Sequence, residues 1–362
     1  MPTENPWSTE TLIPNTPPDS QDPALAATAD ALHAVWVSNK TLYHARYADG
    51  GWGEPVRFAS GETPSLAAGP GGSLPCIFSH LFLGHSEIYY VRWDGLRWTL
   101  PQQVSRTSGA STHPALAVAQ DGCTHIVWAD TTSGESLIYY ARPRGSAWAH
   151  SPIPNAVGGR PAVAVTPAGE VYAAWQSRLA ETDRFEIVAA VYREGSWSLP
   201  EVVSDAPDRH SIGPALAVSP GGSVHLIWQE AQDNRYVIRH AERLPGGWSV
   251  PVDLSVPGSD ARLPRLAAGP KGFFQAVWAE HATLKHRARP AEPAAAWWGE
   301  ETACAACPGI SSLATAILPA TGELHVLWSA YYDLDQRRLY HAYRKALVRH
   351  KVFMPIVTGP GR

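Results

Sequence analysis

Gly222-Ser223-Val224-His225-Leu226-Ile227-Trp228 repeats, one hundred positions on, what Gly122-Cys123-Thr124-His125-Ile126-Val127-Trp128 has already spelled. A turn residue leads into a short apolar run, and the run ends on tryptophan. The pattern recurs at Trp36, Trp128, Trp175, Trp228, Trp278 and Trp328, with Phe78 taking the place in the second copy. The gaps between anchors are 42, 50, 47, 53, 50 and 50 residues. A fixed period in this range marks a stacked repeat architecture.

Each anchor has the same neighbours. Before it stands Pro-x-Leu-Ala, beginning at Pro23, Pro64, Pro114, Pro214 and Pro264, with Val163 for Leu after Pro161 and a degraded Ser311-Ser312-Leu313-Ala314 in the last copy. After it comes an apolar-aromatic run such as Ile88-Tyr89-Tyr90 or Ile138-Tyr139-Tyr140, then a turn and a second tryptophan: Trp52, Trp98, Trp148, Trp197, Trp248 and one of Trp297 or Trp298. Period-2 patterning with β-branched and aromatic residues specifies strands. Each copy is therefore four short strands, a to d. A four-strand unit of this length is a propeller blade, which has two apolar faces and buries them only by stacking on its neighbours.

The expected fold is all-β, a seven-bladed β-propeller of four-stranded antiparallel blades. The blades lie near 22–58, 63–105, 113–153, 160–204, 213–254, 263–300 and 310–345. The seventh copy lacks a strand d after Tyr340-His341-Ala342-Tyr343. The missing piece is at the start: Trp7-Ser8-Thr9-Glu10-Thr11-Leu12-Ile13 resembles Trp197-Ser198-Leu199-Pro200-Glu201-Val202-Val203, and Trp7 precedes Pro23 by the same 16 residues that separate Trp98 from Pro114. The N-terminal strand is thus expected to complete the last blade and remove the open edge. Residues 1–345 form one propeller on this reading, and 346–362 a C-terminal tail outside the repeat.

Two columns look catalytic at first sight. His33, His125, His225 and His325 stand three residues before the anchor, and His44, His240, His286 and His341 share a strand c position with Tyr90, Tyr140 and Ala189. A residue recurring by blade has a recurring structural job, such as a hydrogen bond to a neighbouring blade. Arg46, Arg92 and Arg142, two residues further on, are assigned a surface or inter-blade role. Seven tryptophans in column d and six in column b are core residues first.

Composition narrows the function. A formal charge of −4 gives no basic field for nucleic acid. No run of about 18 apolar residues is present, so no membrane span is expected. No signal peptide is visible at the N-terminus. Cys304-Ala305-Ala306-Cys307 is either a local disulfide or half of a zinc site, and a zinc site lacks its second ligand pair in the sequence. No cofactor is expected, and the chain is taken as a monomer.

The a–b turns (Pro70-Gly71-Gly72, Gln120-Asp121-Gly122, Pro220-Gly221-Gly222) and the c–d turns (Asp49-Gly50-Gly51) are tight and uniform. The b–c and d–a loops vary, are polar and open on one face. Binding residues concentrate on variable loops of a rigid scaffold. The candidates on this face are Asp22, His113, Arg160 and Arg262 near the axis, Arg209 and His210 further back, and Arg178, Asp183, Arg184, Glu230, Asp233, Arg235, Glu280, His281, Asp333 and Asp335 from the b–c loops.

The composite pattern Pro-Ala-Leu-Ala-Val, Asp-Gly-x-x-His-Ile-Val-Trp, Ile-Tyr-Tyr and Trp-Ser-x-Pro resembles the sialidase-like propeller superfamily, the BNR or Asp-box group, over about residues 7–345. Asp94-Gly95-Leu96-Arg97-Trp98 keeps part of that family's Ser-x-Asp-x-Gly-x-x-Trp box, without its Ser. True sialidases have six blades, an Arg-x-Pro element, three substrate-binding arginines, an acid Asp and a Tyr–Glu pair. That set does not map here: Arg160-Pro161 lacks the spacer, and Arg262-Leu263-Pro264 has the spacing but lies in the sixth copy. The resemblance implies the fold and, by family habit, an extracellular location. Seven-bladed lectins that bind sugars between blades are similar in plan.

The expected function is therefore a non-catalytic binding module for a glycan or a protein. The alternative is a divergent glycoside hydrolase at the channel mouth, with Asp183, Asp233, Asp333 and Asp335 as its acids. A purely scaffolding domain is a third possibility.

Overall fold

The computed structural model describes residues 6–179, 183–292, 295–333 and 336–347. Seven antiparallel sheets follow in chain order, each with strand a innermost. Strands a to c are Gln21–Ala27, Leu32–Ser38 and Thr41–Ala48 in blade one, Glu62–Leu66, Leu74–Phe82 and His85–Trp93 in blade two, and Ser111–Val118, Thr124–Asp130 and Leu137–Arg144 in blade three. They are Gly159–Val165, Val171–Leu179 and Arg184–Arg193 in blade four, then Ser211–Val218, Val224–Gln232 and Arg235–Leu244 in blade five. Blade six has Ala261–Ala268, Phe273–Glu280 and Thr283–Pro290, and blade seven Ser312–Ile317, Leu324–Asp333 and Gln336–Arg344. The outer strand d is often broken into short pieces, as in Ser196–Trp197 and Glu201–Val202 of blade four.

Closure is as expected. Thr11–Leu12 pairs antiparallel with strand c of blade seven, Thr11 against His341 and Leu12 against Tyr340, and Trp7 bridges Arg344. The backbone N–H groups of Ser8 and Ile13 donate to the carbonyls of Tyr343 and Leu339. First and last segments of the described chain thus share one sheet.

The core is a set of seam cores. Trp36, Phe78, Trp128, Trp175, Trp228, Trp278 and Trp328 are all essentially inaccessible. Seven apolar clusters each straddle one pair of adjacent blades, including Leu25, Trp36, Ala314 and Leu327 between blades seven and one. Burial of this kind stabilises by roughly 25 cal/mol per Å² of apolar surface.

The strand c column explains the second set of tryptophans. Four strand d tryptophans stand edge-on against the strand c ring of the preceding blade: Trp52 on His341, Trp98 on His44, Trp197 on Tyr140 and Trp297 on His240, at 5.2–5.3 Å, while Trp148 lies tilted on Tyr90 at 5.0 Å and blade four places Ala189, which has no ring, before Trp248. Trp7 is also edge-on, against His286 at 5.4 Å, so the N-terminal strand carries the packing rule of a normal strand d. Trp297, rather than the partly exposed Trp298, is the sixth member of the column.

The histidines are structural, with one difference from the expected geometry. Their hydrogen bonds run within a blade, not between blades: His33 to His44 at 3.0 Å, His225 to His240 at 2.8 Å and His325 to His341 at 2.9 Å. What crosses the seam is ring packing.

Cys304 and Cys307 form a buried disulfide in the loop leading from blade six to blade seven. This corrects the zinc alternative: a disulfide sulfur has no thiolate to give a metal. Among the described residues no group of three metal-ligating side chains comes together. No helix of the described chain is long and apolar enough to cross a membrane. Leu347, at the start of the tail, packs on Phe273 and Ala288, and the rest of the tail lies outside the described residues.

Candidate functional site

The strand a prolines build a ring at the channel mouth. The residue before each proline adopts a left-handed backbone: Asp22, Thr63, His113, Arg160, Gly213 and Leu263 all have φ between 48° and 65°. A register shift accompanies each one, as between Gln21 and Ala24 or between Gly159 and Ala162. Proline disfavours the right-handed helical region for the residue before it, and a left-handed residue makes the bulge that aims it toward the axis. Blade seven has no proline here and no register shift. Neighbouring blades hold the bulges. The Gly213 N–H donates to Gln176 Oε1 (3.3 Å), the Leu263 N–H to Gln229 Oε1 (3.0 Å) and the Asp22 N–H to Ser312 Oγ (3.2 Å).

Blade six departs from the sequence reading. Its ring residue is Leu263, because Leu263 immediately precedes Pro264. Arg262, one place back, lies over the ring of Tyr236 at 4.7 Å and pairs with Asp260 at 3.0 Å.

Two adjoining cavities of about 450 and 510 Å³ open over blades four to six, and His210 and Tyr236 line both. Arg184, Arg209, Asp233 and Arg235 line the outer one, with Asp208, and Arg160, Gln176, Gln229 and Arg265 line the inner one toward the axis. Five arginines face two aspartates in a chain whose formal charge is −4. The cleft is therefore a local positive region on an acidic protein.

His210 is held at the join. Glu186, buried, accepts from Ser204 and from the Ala206 N–H at 3.1 Å, which fixes the start of this d–a loop. The carbonyl of His210 accepts the Ala231 N–H at 2.8 Å. Its Nδ1 faces the Phe185 N–H at 3.3 Å, and its Nε2 faces Arg184 Nη1 at 3.0 Å. Both ring nitrogens thus meet donors, and a neutral imidazole accepts through only one of them. In either tautomer one ring N–H points at another N–H.

The remaining candidates separate. Glu230 is buried, not a rim residue; it holds Arg209 (3.5 Å) and faces Arg239 (3.8 Å), and burial raises its pKa against the pull of those two cations. Arg178 and Asp183 pair with each other at 2.5 Å on an exposed hairpin outside the cleft, a kind of pair that contributes little. Arg235 Nη1 donates to the Gly258 carbonyl at 2.6 Å. Glu280 accepts from Trp278 Nε1 at 3.4 Å, and His281 sits at the exposed tip of the blade six b–c turn. His113 is on the ring, and burial followed by the charge of Arg160 lowers its pKa. Asp22 opens on the channel, and desolvation raises its carboxyl despite Arg265, Arg337 and Arg160. Asp333 ends strand b of blade seven, and Asp335 lies outside the described residues. The sequence reading missed Tyr236, Gln176, Gln229 and Arg265. The two glutamines carried a signal: each directly follows its anchor tryptophan, where other blades place Val37, Ser79, Ala129, Ala279 and Ser329.

The fold and cleft together define a seven-bladed β-propeller with a cationic pocket on its variable face. No protein-family model matches the chain, and no curated protein matches it in sequence. Solved structures do. An ulvan lyase of a new polysaccharide lyase family aligns with a TM-score of 0.64 at 10% identity, over 91% of this chain and 95% of the other. The α-L-arabinofuranosidase of Fusarium graminearum, in complex with arabinobiose, gives 0.55 at 11% identity, over 94% and 98%. A Hadza microbial sialidase gives 0.53 at 12%, over 88% and 74%. At these identities the likeness establishes the fold.

Proposed function

We propose that the cleft over blades four to six binds an anionic glycan. The observation that carries this is the approach of Arg184 Nη1 to His210 Nε2 at 3.0 Å: with Nδ1 accepting the Phe185 N–H, Nε2 carries the ring proton and meets the guanidinium donor to donor. A carboxylate or sulfate oxygen seated on that edge accepts from the guanidinium and from the imidazole N–H, and resolves the mismatch with charge-assisted bonds. Tyr236, beneath Arg262, offers an apolar ring at the join of the two cavities, and Gln176 and Gln229 supply amides toward the axis. The elongated pair of cavities suits several sugar units. Glycan-acting propellers among the structural neighbours agree with this class of ligand.

A divergent hydrolase is the second reading, favoured by Asp22: a carboxyl raised by desolvation at the channel mouth has the property of a general acid. The same titration separates the two. With a panel of uronate- or sulfate-bearing oligosaccharides, binding without new reducing ends or unsaturated products supports recognition alone, and product formation supports turnover.

Arg184→Ala is expected to weaken binding of the preferred oligosaccharide by about tenfold or more, the usual loss for a hydrogen bond to a charged group. Arg178→Ala, outside the cleft, is expected to leave it unchanged. Isothermal titration of both variants checks this; equal affinity for wild type and Arg184→Ala contradicts the assignment.

A further inference from the structure

The opposite face of the disc, with the tight turns, carries a second site. Two positions at each seam decide its chemistry: the residue two places after the strand c ring in one blade, and the residue three places after it in the next. In order around the ring these pairs are Arg46 with Trp93, Arg92 with Pro143, Arg142 with Tyr192, Val191 with Arg243, Glu242 with Arg289, and Ala288 with Arg344. Each of these six seams contains one arginine. The seam between blades seven and one has Tyr343 with Tyr47 and no arginine.

At other seams the guanidinium does recognisable work. Arg289 Nη2 donates to Glu242 at 2.6 Å, beside His225, whose Nε2 lies 3.5 Å from the same carboxylate. Arg142 lies over the ring of Tyr192 at 5.7 Å. At the seam between blades seven and one the equivalent space is a cavity of about 280 Å³, lined by Tyr47, Tyr343, Asp30, Asp49, Glu323 and His325. Asp30 already carries Arg46 at 2.6 Å, and Glu323 accepts from Thr321 Oγ1 at 2.9 Å. His325 is 1% exposed, its Nδ1 is engaged by His341, and its Nε2 is buried without a hydrogen bond, with Glu323 Oε2 the close carboxylate oxygen at 3.9 Å. Native proteins seldom leave a buried polar atom so placed. With Nδ1 donating to His341, Nε2 is left with its lone pair, and carboxylates, tyrosine rings and that lone pair all favour a donor-rich cation.

We propose that this cavity binds a guanidinium or primary ammonium group from outside the chain, in the place that the internal arginines Arg142, Arg243, Arg289 and Arg344 serve at other seams. The cation would donate to Glu323 and to His325 Nε2 and lie against the Tyr47 and Tyr343 rings, with Asp49 at the entrance. Because the seam is the one closed by the N-terminal strand, a bound cation would also tie the ends of the ring together. Two sources share this chemistry, a free amine and the arginine side chain of a partner protein.

The test is calorimetric titration of the full chain with agmatine and, separately, with the peptide Gly-Arg-Gly carrying blocked termini. At least one is expected to bind with Kd near or below about 1 mM, a value in reach of a ligand this small. Tighter binding of agmatine assigns the site to a free amine, and tighter binding of the peptide assigns it to a protein side chain. Glu323→Gln and the turn variant Asp49→Asn are each expected to weaken binding by about tenfold. Tyr47→Arg places an internal guanidinium, as Arg289 does in blade six, and is expected to abolish binding while the thermal midpoint is kept or raised. No binding of either probe, or binding unchanged in Asp49→Asn and Tyr47→Arg, overturns the proposal.

Discussion

Trp7→Ala lowers the unfolding free energy by about 3–5 kcal/mol, the usual cost of truncating a buried tryptophan. Trp7 is 5% exposed, bridges Arg344, stands edge-on against His286 and donates from Nε1 to Glu301 at 3.1 Å. Glu301 in turn accepts two bonds from Arg344 at 2.6 Å. Removing the indole therefore leaves a cavity in the seam between blades six and seven and strips one donor from a partly buried carboxylate. The effect is also topological, since Trp7 belongs to the segment that closes the ring. Urea unfolding monitored by circular dichroism measures it, with Leu96→Ala, at a position 89% exposed, as a control expected to stay within about 0.5 kcal/mol. A loss below about 1 kcal/mol for Trp7→Ala contradicts the closure.

Acid destabilises the fold well before ordinary carboxylates titrate. Burial is the main cause holding His33 and His341 down to about 4, His44, His240 and His325 to about 3, and His225 to about 2. The ordinary value for histidine is 6.5. The folded state keeps these rings neutral, while the unfolded chain takes up protons once the pH falls below about 6.5. Stability is therefore complete above pH 6.5 and is lost on acidification from there, down to about pH 4 for His33 and His341 and on to about pH 3 or below for the other four. At pH 5 each ring contributes a loss of up to about 2 kcal/mol. Glu301 adds to the loss: burial opposes its charge, but the Arg344 and His286 bonds hold its carboxyl well below the usual range. Glu186 and Glu230, raised by burial, work in the opposite sense.

Tyrosine already occupies the strand c column in blades two and three, and the His125–Tyr140 pair bonds at 2.8 Å. His44→Tyr should accordingly flatten the pH dependence with little loss at pH 7. Thermal midpoints from pH 7.5 to 4.5 for both proteins check this, and parallel curves contradict it.

Blade count, strand order and ring closure were legible because the repeat writes the same packing problem seven times. An anchor such as Trp128 or a turn such as Asp49-Gly50 solves a local geometry that sequence spacing reports directly. The cleft was only partly legible. Arg184, Asp233 and Arg235 stood out as polar residues on variable loops, and His210 as a residue before strand a, further back from the axis. Tyr236 did not, since an aromatic at the start of strand c looks like core until its neighbours are known. Glu230 misled for the converse reason: a carboxylate in a b–c segment looks like rim, but register turns it inward beneath Arg209. Leu263 and Arg262 exchanged places because the bulge is fixed by the residue directly preceding proline, and charge drew attention one position too early. The cation cavity could be found only by reading columns across seams, where an absence has meaning because six other copies define what is expected.

The most direct test of the central claim is a titration with matched oligosaccharides that differ only in charge, a uronate- and sulfate-bearing chain against its carboxyl-reduced, desulfated counterpart. A cleft built around the Arg184–His210 edge binds the charged chain, loses affinity as salt rises and ignores the neutral one. Equal affinity for both chains, or affinity for the charged one that survives Arg184→Ala and His210→Ala together, would contradict it.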